Sequence, residues 1–364
     1  MQKMNYTAKE YIKNFDKKKY SSFVFGADLG GTNTKITVAG VKKNNVELIF
    51  SLFFKSSEIT SFSYALLECM NIAKAKFDID LLTGCISAAG IVSEDKKNVS
   101  LTNQKININI DELIKKTGLK SVLLINDFEA VGYGINLLNL QNEKEVYTVR
   151  NNLNNIASKK TRAVIGAGTG LGKSILVFDE ENNFYNPISS EGGHSDFPIY
   201  SNFERDLANY IKNKRSIIEP LTYDELLSGH GIELIYQFLR EKNPNNITKY
   251  TKEIDISKDK TPLIAQYKNL DETCKKVFYI FTIFYARCAK NFVLDSLAMS
   301  GLFIAGGIAA KNKEIFNSKE FLVEFENVYQ YLNYIKKIPI FVILDKNIGL
   351  KGACFAAMNK FRGM

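Results

Sequence analysis

A chain of 364 residues, 45% hydrophobic and 24% charged, has the length and balance of a soluble globular protein of about two domains. The formal charge is +9, but the first twenty residues carry six lysines against Glu10 and Asp16, so four of the nine charges sit there. The remainder is only mildly basic, which disfavours a duplex nucleic-acid binder with Lys and Arg massed on one face and points to an anionic small molecule.

In chain order, residues 1–21 read as a solvated basic arm, disordered, helical or packed on the surface. They have neither the apolar core of a signal peptide nor the arginines of a transit peptide. Phe23 to Asp28 is predicted as a strand, Leu29-Gly30-Gly31-Thr32-Asn33 as a glycine turn, and Thr34 to Ala39 as a second, β-branched strand. Such a turn presents backbone N–H groups and hydroxyls that suit a phosphate, although the same residues read equally as an ordinary hairpin. Val46 to Phe54 follows as a strand, Phe62 to Lys76 as a helix with Leu66, Met70 and Ala73 on one face, and Thr83 to Ile91 as a strand. Asp111 and Gly118 bracket a short helix as its N-cap and terminating residue.

Ser121 to Ile125 is an apolar run that ends in Asn126-Asp127 and passes into the helical periodicity of Phe128, Val131, Ile135 and Leu138. This reads as a buried parallel strand feeding a helix, and strands alternating with helices indicate a mostly parallel sheet. In such sheets ligands gather at the carboxyl ends of strands, which puts Asn126 and Asp127 at a site mouth. Asn126 reads equally well as a helix cap, with Glu129 completing something close to a capping box.

Leu140 to Arg162 is polar, a surface loop with one short strand. Ala163-Val164-Ile165, the turn Gly166 to Gly172 and Ser174 to Phe178 then repeat the strand, glycine turn, strand pattern of residues 23–39, as in a chain of two related halves. Ala167 to Ser174 also matches a relaxed phosphate-binding P-loop in which Lys173 and Ser174 would be the ligands. A P-loop opens a helix, however, and the continuous run Ser174-Ile175-Leu176-Val177-Phe178, with β-branched Ile175 and Val177, predicts a strand. Ser189 to Phe197 contains Glu191-Gly192-Gly193-His194, with one of only two histidines in a flexible turn. Phe203 to Lys212 is predicted helical, Tyr223 to Arg240 helical with a break at Ser228-Gly229-His230-Gly231, and Asn243 to Lys260 an exposed connection.

Leu270 to Met299 reads as a long core helix; its most lipid-like run, Val277 to Ala286, is about ten residues, too short to span a bilayer. Gly301 to Ile308 gives a strand ending in Gly306-Gly307, Ile338 to Leu344 another strand, and Ile348 to Phe361 a last helix whose Gly352, Ala353, Ala356 and Ala357 permit close packing. The five cysteines (Cys69, Cys85, Cys274, Cys288 and Cys354) lack any paired spacing, as free thiols of a reducing, cytoplasmic compartment would.

Together these segments resemble the bacterial-type ATP-dependent glucokinases, within the hexokinase, actin and Hsp70 superfold, over nearly the whole chain after residue 22. Asp28 to Lys35 (DLGGTNTK) is similar to the family's first phosphate loop and Gly166 to Gly172 to its second. Thr102-Asn103 and Ile125-Asn126-Asp127 resemble its sugar site, Glu191 to Phe197 (EGGHSDF) its sugar-binding segment, Leu227-Ser228-Gly229 its downstream marker, and Ala305 to Ala309 (AGGIA) its adenosine strand.

The resemblance implies a two-domain α/β fold of the actin-like ATPase, ribonuclease H-like kind with a central active-site cleft. It divides the chain into an arm over 1–21, a small domain over 22–125 plus 348–364, and a large domain with helical insertions over 126–347. It implies glucose and ATP as substrates, Mg2+ as the metal, a homodimer, and neither nucleic acid nor membrane as partner. Gly30, Gly31, Thr32, Asn33, Gly168, Thr169, Gly170, Gly306 and Gly307 would contact ATP, and Asp28 would hold Mg2+ through water. Asn103, Asn126, Asp127, Glu191, His194 and Asp224 or Glu225 would contact glucose, with Asp127 accepting the O6 proton.

Three departures stand out. Lys35 replaces a commoner arginine and cannot copy its planar fork. Asp224 holds the place of a sugar-binding glutamate, with Glu225 adjacent. The cysteine-rich zinc motif of the related ROK sugar kinases is absent, so no structural zinc is expected. Two other readings share the phosphate loops: an actin- or Hsp70-like ATPase without a hexose site, and a non-catalytic sugar-binding regulator.

Overall fold

The computed structural model describes residues 5–101 and 107–362, so Asn103, expected at the sugar, lies outside the described residues. The chain forms two compact units, Met1–Asn139 with Asp179–Ser189 and Asp345–Met364, and Leu140–Phe178 with Ser190–Leu344.

In the first unit the sheet runs Thr7–Glu10, Asn45–Lys55, Asn33–Lys42, Ser22–Leu29, Thr83–Ala88, Ser121–Asn126. Ser22–Leu29 and Asn33–Lys42 form an antiparallel hairpin, and Ser22–Leu29 runs parallel to Thr83–Ala88, which runs parallel to Ser121–Asn126. Strands buried on both faces need apolar side chains at successive positions. Accordingly Phe25 and Ala27 pack with Leu66, Cys69 and Ala73 of the helix Phe62–Phe77, while Val24, Cys85 and Ile125 pack with Ala353 and Cys354 of the last helix, Ile348–Lys360.

Three local expectations change. The basic arm contributes an edge strand, with Thr7 opposite Phe53 and Glu10 opposite Phe50, while Phe15 packs edge-on against Phe77. All four strand side chains are exposed, so the pairing is made by backbone alone and leaves no apolar alternation to read. The short helix is Ile110–Thr117 and its N-cap is Asn109, whose side chain accepts from the Glu112 N–H at 2.9 Å; Asp111 lies in the first turn and pairs with Lys97. Thr83–Ala88 stops before Ile91, because Gly90–Val92 turns away into a small antiparallel sheet with Asn98–Leu101 and Asn107–Asn109.

The second unit has the strand order Val146–Arg150, Ile340–Ile343, Leu302–Ala305, Arg162–Ala167, Leu171–Asp179. Arg162–Ala167 and Leu171–Asp179 form an antiparallel hairpin, with Leu302–Ala305 and Ile340–Ile343 parallel beside its first strand. Hairpin plus two parallel strands is the first unit's pattern again, as the repeated glycine turns predict.

The helix Glu272–Ser296 anchors this unit. At 25 residues, with a mean hydropathy of 1.3 over its most apolar 18, it is long and apolar enough to cross a membrane, but 78% of that stretch is buried among the unit's other elements. The ten-residue run read from the sequence understates it, because Arg287 and Lys290 are themselves buried in ion pairs with Glu204 and Glu324. Asn243 to Lys260, expected as a connection, contains the helix Lys249–Ile256. A reciprocal Thr248–Thr251 capping box starts it, and only Thr251 and Ile254 are buried, too few to write a helical period.

Candidate functional site

In the first unit the sheet register sets Leu29, Ala88 and Asn126 level at the carboxyl ends of three neighbouring strands. Asp28 and Asn126 therefore open on one end of the sheet, about 10 Å apart at the usual strand spacing. Asn126 is indeed a helix cap: its side-chain oxygen accepts from the Phe128 N–H at 2.8 Å, and the Glu129 carboxylate accepts from the Asn126 N–H. Capping uses the oxygen of the amide, whereas the Nδ2 donor is a separate group, so both readings of Asn126 can hold at once. Burial raises the Glu129 carboxyl above its ordinary range, opposed by Lys96 at 3.2 Å. Asp127 is half-buried at the first helical position, where the helix dipole favours a carboxylate.

The first glycine turn is closed by the Gly30 N–H donating to Asn33 O at 3.1 Å. It is braced by Ser56, whose hydroxyl donates to Gly30 O at 2.8 Å and whose N–H donates to Thr32 O at 3.0 Å. Gly31, Thr32 and Asn33 are exposed. Lys35 sits opposite Asp28 in the hairpin with Nζ 3.3 Å from Oδ2, both side chains 31% exposed. Among the described residues no cluster of three His, Cys, Asp or Glu could cage a metal. A lone carboxylate beside a phosphate-type turn instead suits Mg2+, which keeps most of its waters and takes its other ligands from phosphate oxygens.

In the second unit the turn Gly168 to Gly170 is tied down on three sides. The Gly168 N–H donates to Gly170 O at 2.8 Å, the Gly229 N–H to Gly168 O at 2.9 Å, and the Leu171 N–H to Asp224 Oδ1 at 2.6 Å. Because Leu171–Asp179 continues as a strand, no helix N-terminus follows the glycines and the P-loop reading is excluded. Gly306, at φ +94°, ends Leu302–Ala305; a Cβ there would lie 2.4 Å from Ala167 O, so only glycine fits beside the hairpin. Gly306 and Gly307 are exposed at that end of the sheet.

Glu191 to Ser195 forms a tight turn with the His194 N–H donating to Glu191 O at 2.9 Å, and both Glu191 and His194 are exposed. Of the two residues expected to compete for the sugar, Asp224 accepts from the hairpin backbone and Glu225 has Oε2 3.5 Å from Nε of Arg215. Asp224 thus braces the Gly168–Gly170 turn, a contact hidden in sequence because its partner is 53 residues away. Lys173 is turned away from the glycines, with Nζ donating to Gly192 O at 2.8 Å. His230 is exposed near the start of the helix Gly229–Lys242.

Residues 25–360 match the family model described as Glucokinase. A Glucokinase from a Nostoc species is 28% identical over 351 residues, spanning 92% of this chain and 99% of the relative. Among solved structures, glucokinase from an Antarctic psychrotroph superposes with a TM-score of 0.75 at 22% identity, covering 93% of this chain and 99% of that one. Glucokinase from Balamuthia mandrillaris, solved in complex with glucose, superposes with a TM-score of 0.76 at 20% identity over 92% and 93% of the two chains. The structural likeness places the chain in the α/β actin-like ATPase fold class, and with the sequence match running through both hairpins, the Asn126-Asp127 strand end and the Glu191–His194 turn, the chain belongs to the glucokinase family.

Proposed function

We propose that this ATP-dependent sugar kinase transfers the γ-phosphoryl group of ATP to the 6-hydroxyl of glucose, giving glucose 6-phosphate and ADP. The observation that carries the reading is a family match over residues 25–360 that includes a carboxylate, Asp127, at the end of the Ser121–Asn126 strand. Phosphoryl transfer needs positioning and charge neutralisation more than covalent chemistry.

Asp127 accepts the O6 proton as the new P–O bond forms. The Nδ2 of Asn126, the carboxylate of Glu191 and the imidazole of His194 pair with sugar hydroxyls. The glycine turns at Gly30–Asn33 and Gly168–Gly170 donate N–H groups to the phosphates, and Gly306-Gly307 lies along the adenosine. Asp28 is the carboxylate that would hold Mg2+, which when bound neutralises phosphate charge. Asp224 contributes by bracing the second turn, and the homodimer stands as part of the same proposal.

A coupled assay across several hexoses, with ATP and ADP as alternative donors, tests the reading. Glucose-dependent turnover with ATP is expected. Equal ATP turnover without sugar would instead favour an actin-like ATPase, and thermal stabilisation by glucose without turnover would favour a sugar-binding regulator. Light scattering of the purified chain checks the dimer.

A further inference from the structure

Lys173 is 5% exposed, third in the hairpin strand Leu171–Asp179 and opposite Ile165. A lysine is almost never buried without partners that offset the loss of water. Here the partners are a carbonyl, two ring faces and a thiol. Nζ donates to Gly192 O at 2.8 Å, lies 5.5 Å from the ring centroid of Tyr223 and 5.2 Å from that of Phe292, and neighbours the Cys288 thiol. The accepting carbonyl is the hub of the Glu191–Ser195 turn, since it also takes the Ser195 hydroxyl at 2.8 Å.

The turn lies flush against the strand. A Cβ on Gly193 would fall 2.0 Å from Leu171 O, and one on Gly192 would fall 3.2 Å from Lys173 Cδ. Two residues before Lys173, the same strand leaves the Gly168–Gly170 turn, where the Leu171 N–H is held by Asp224. Residues 171 to 173 therefore anchor a nucleotide-type turn at one end and the Glu191–His194 turn on their flank.

We infer that Lys173 is a positioning residue for sugar binding, its ammonium fixing the Gly192 carbonyl so that Glu191 and His194 are presented to the glucose hydroxyls. This rests on the reading above that those two side chains contact glucose. Lys173→Met keeps the aliphatic stem against Tyr223 and Phe292 and removes the ammonium, and with it the hydrogen bond to Gly192 O and the cation–π contacts. The expected result is a KM for glucose raised by about tenfold, the scale of one lost charge-assisted hydrogen bond, with the KM for ATP within about twofold. The thermal shift induced by glucose, read without any turnover, should fall in parallel.

Ser195→Ala, a change at an exposed position that removes the second donor to the same carbonyl, should move the glucose KM in the same direction and decides the matter if Lys173→Met does not fold. The inference is overturned if the unaltered chain phosphorylates glucose while a folded variant keeps its glucose KM, or loses glucose and ATP affinity equally. Absence of glucose turnover and of glucose-induced stabilisation in the unaltered chain would overturn the functional reading and the inference with it.

Discussion

Asp127 stands half-buried where a parallel strand becomes a helix, beside an asparagine that caps that helix with its own oxygen. Replacing it by asparagine removes a base while keeping shape and polarity. Asp127→Asn is expected to lower kcat by the roughly 10²–10⁴-fold typical of a lost general base. The thermal shift on adding glucose should remain. A folded variant with wild-type kcat would reduce Asp127 to a partner of the helix dipole.

His194 offers a second test at the same scale, because the chain's only other histidine, His230, is also exposed but lies at the head of a helix. Removing a hydrogen-bonding partner from a sugar hydroxyl costs about 1–3 kcal/mol. His194→Ala should therefore raise the glucose KM by roughly tenfold with little change for ATP, whereas His230→Ala should move neither. Steady-state kinetics of the two variants side by side makes the comparison, and identical behaviour would remove Glu191–His194 from the sugar site.

At the level of elements, the helix Asp127–Ile135 is set by its crossing with Ile348–Lys360. A Cβ on Gly352 would meet Ala130 O at 1.8 Å, and one on Gly134 would meet Ile348 O at 2.4 Å, so each helix brings a glycine to the other's backbone. Gly349, three residues before Gly352, has only Val131 Cγ2 at 3.8 Å, an ordinary contact. Gly352→Ala should overpack the crossing and lower stability by about 1–3 kcal/mol. It should also lower kcat, since the displaced helix begins at Asp127. Gly349→Ala should leave stability unchanged or raise it by up to about 1 kcal/mol through helix propensity. Urea midpoints at constant m value, with kcat measured alongside, separate the two; equal effects would show that the crossing is not the constraint.

At the scale of a whole folded unit, the second unit carries a buried charge network that ties three helices together. Arg287 of Glu272–Ser296 pairs with both oxygens of Glu204 in Asn202–Arg215, at 3.1 and 3.0 Å, and through Nε with Glu324 of Lys319–Phe325 at 3.0 Å. It also donates to Pro198 O at 3.2 Å and lies 4.0 Å from the Tyr200 ring centroid, just beyond the Glu191–Phe197 segment. Arg287→Met leaves the buried Glu204 without its cation, while the part-buried Glu324 keeps only Lys290 at 4.0 Å, and should cost about 3–5 kcal/mol, the usual penalty for breaking a buried pair. Adding Glu204→Gln and Glu324→Gln should recover part of that loss, as measured by chemical denaturation. A single variant as stable as the parent would mean that water reaches the site.

The sequence by itself determined what is written in neighbouring residues. The strand, glycine turn, strand pattern appears twice, the apolar run Val122 to Ile125 ends at Asn126-Asp127, and the β-branched residues after Lys173 distinguish a hairpin from a P-loop; each depends on spacing within a few positions. Tertiary structure decided which of several suitable groups becomes a partner. Asn109 rather than Asp111 caps its helix because its oxygen reaches the Glu112 N–H. Thr7–Glu10 becomes a strand because Asn45–Lys55 presents an open edge, which needs no side-chain pattern in the arm itself. Asp224 meets Leu171 across 53 residues, Lys173 meets Gly192 across 19, and Arg287 meets Glu204 across 83. No local periodicity specifies such pairs, since a buried charge is placed by what folding brings against it, and only the packed chain shows which partner replaces its water.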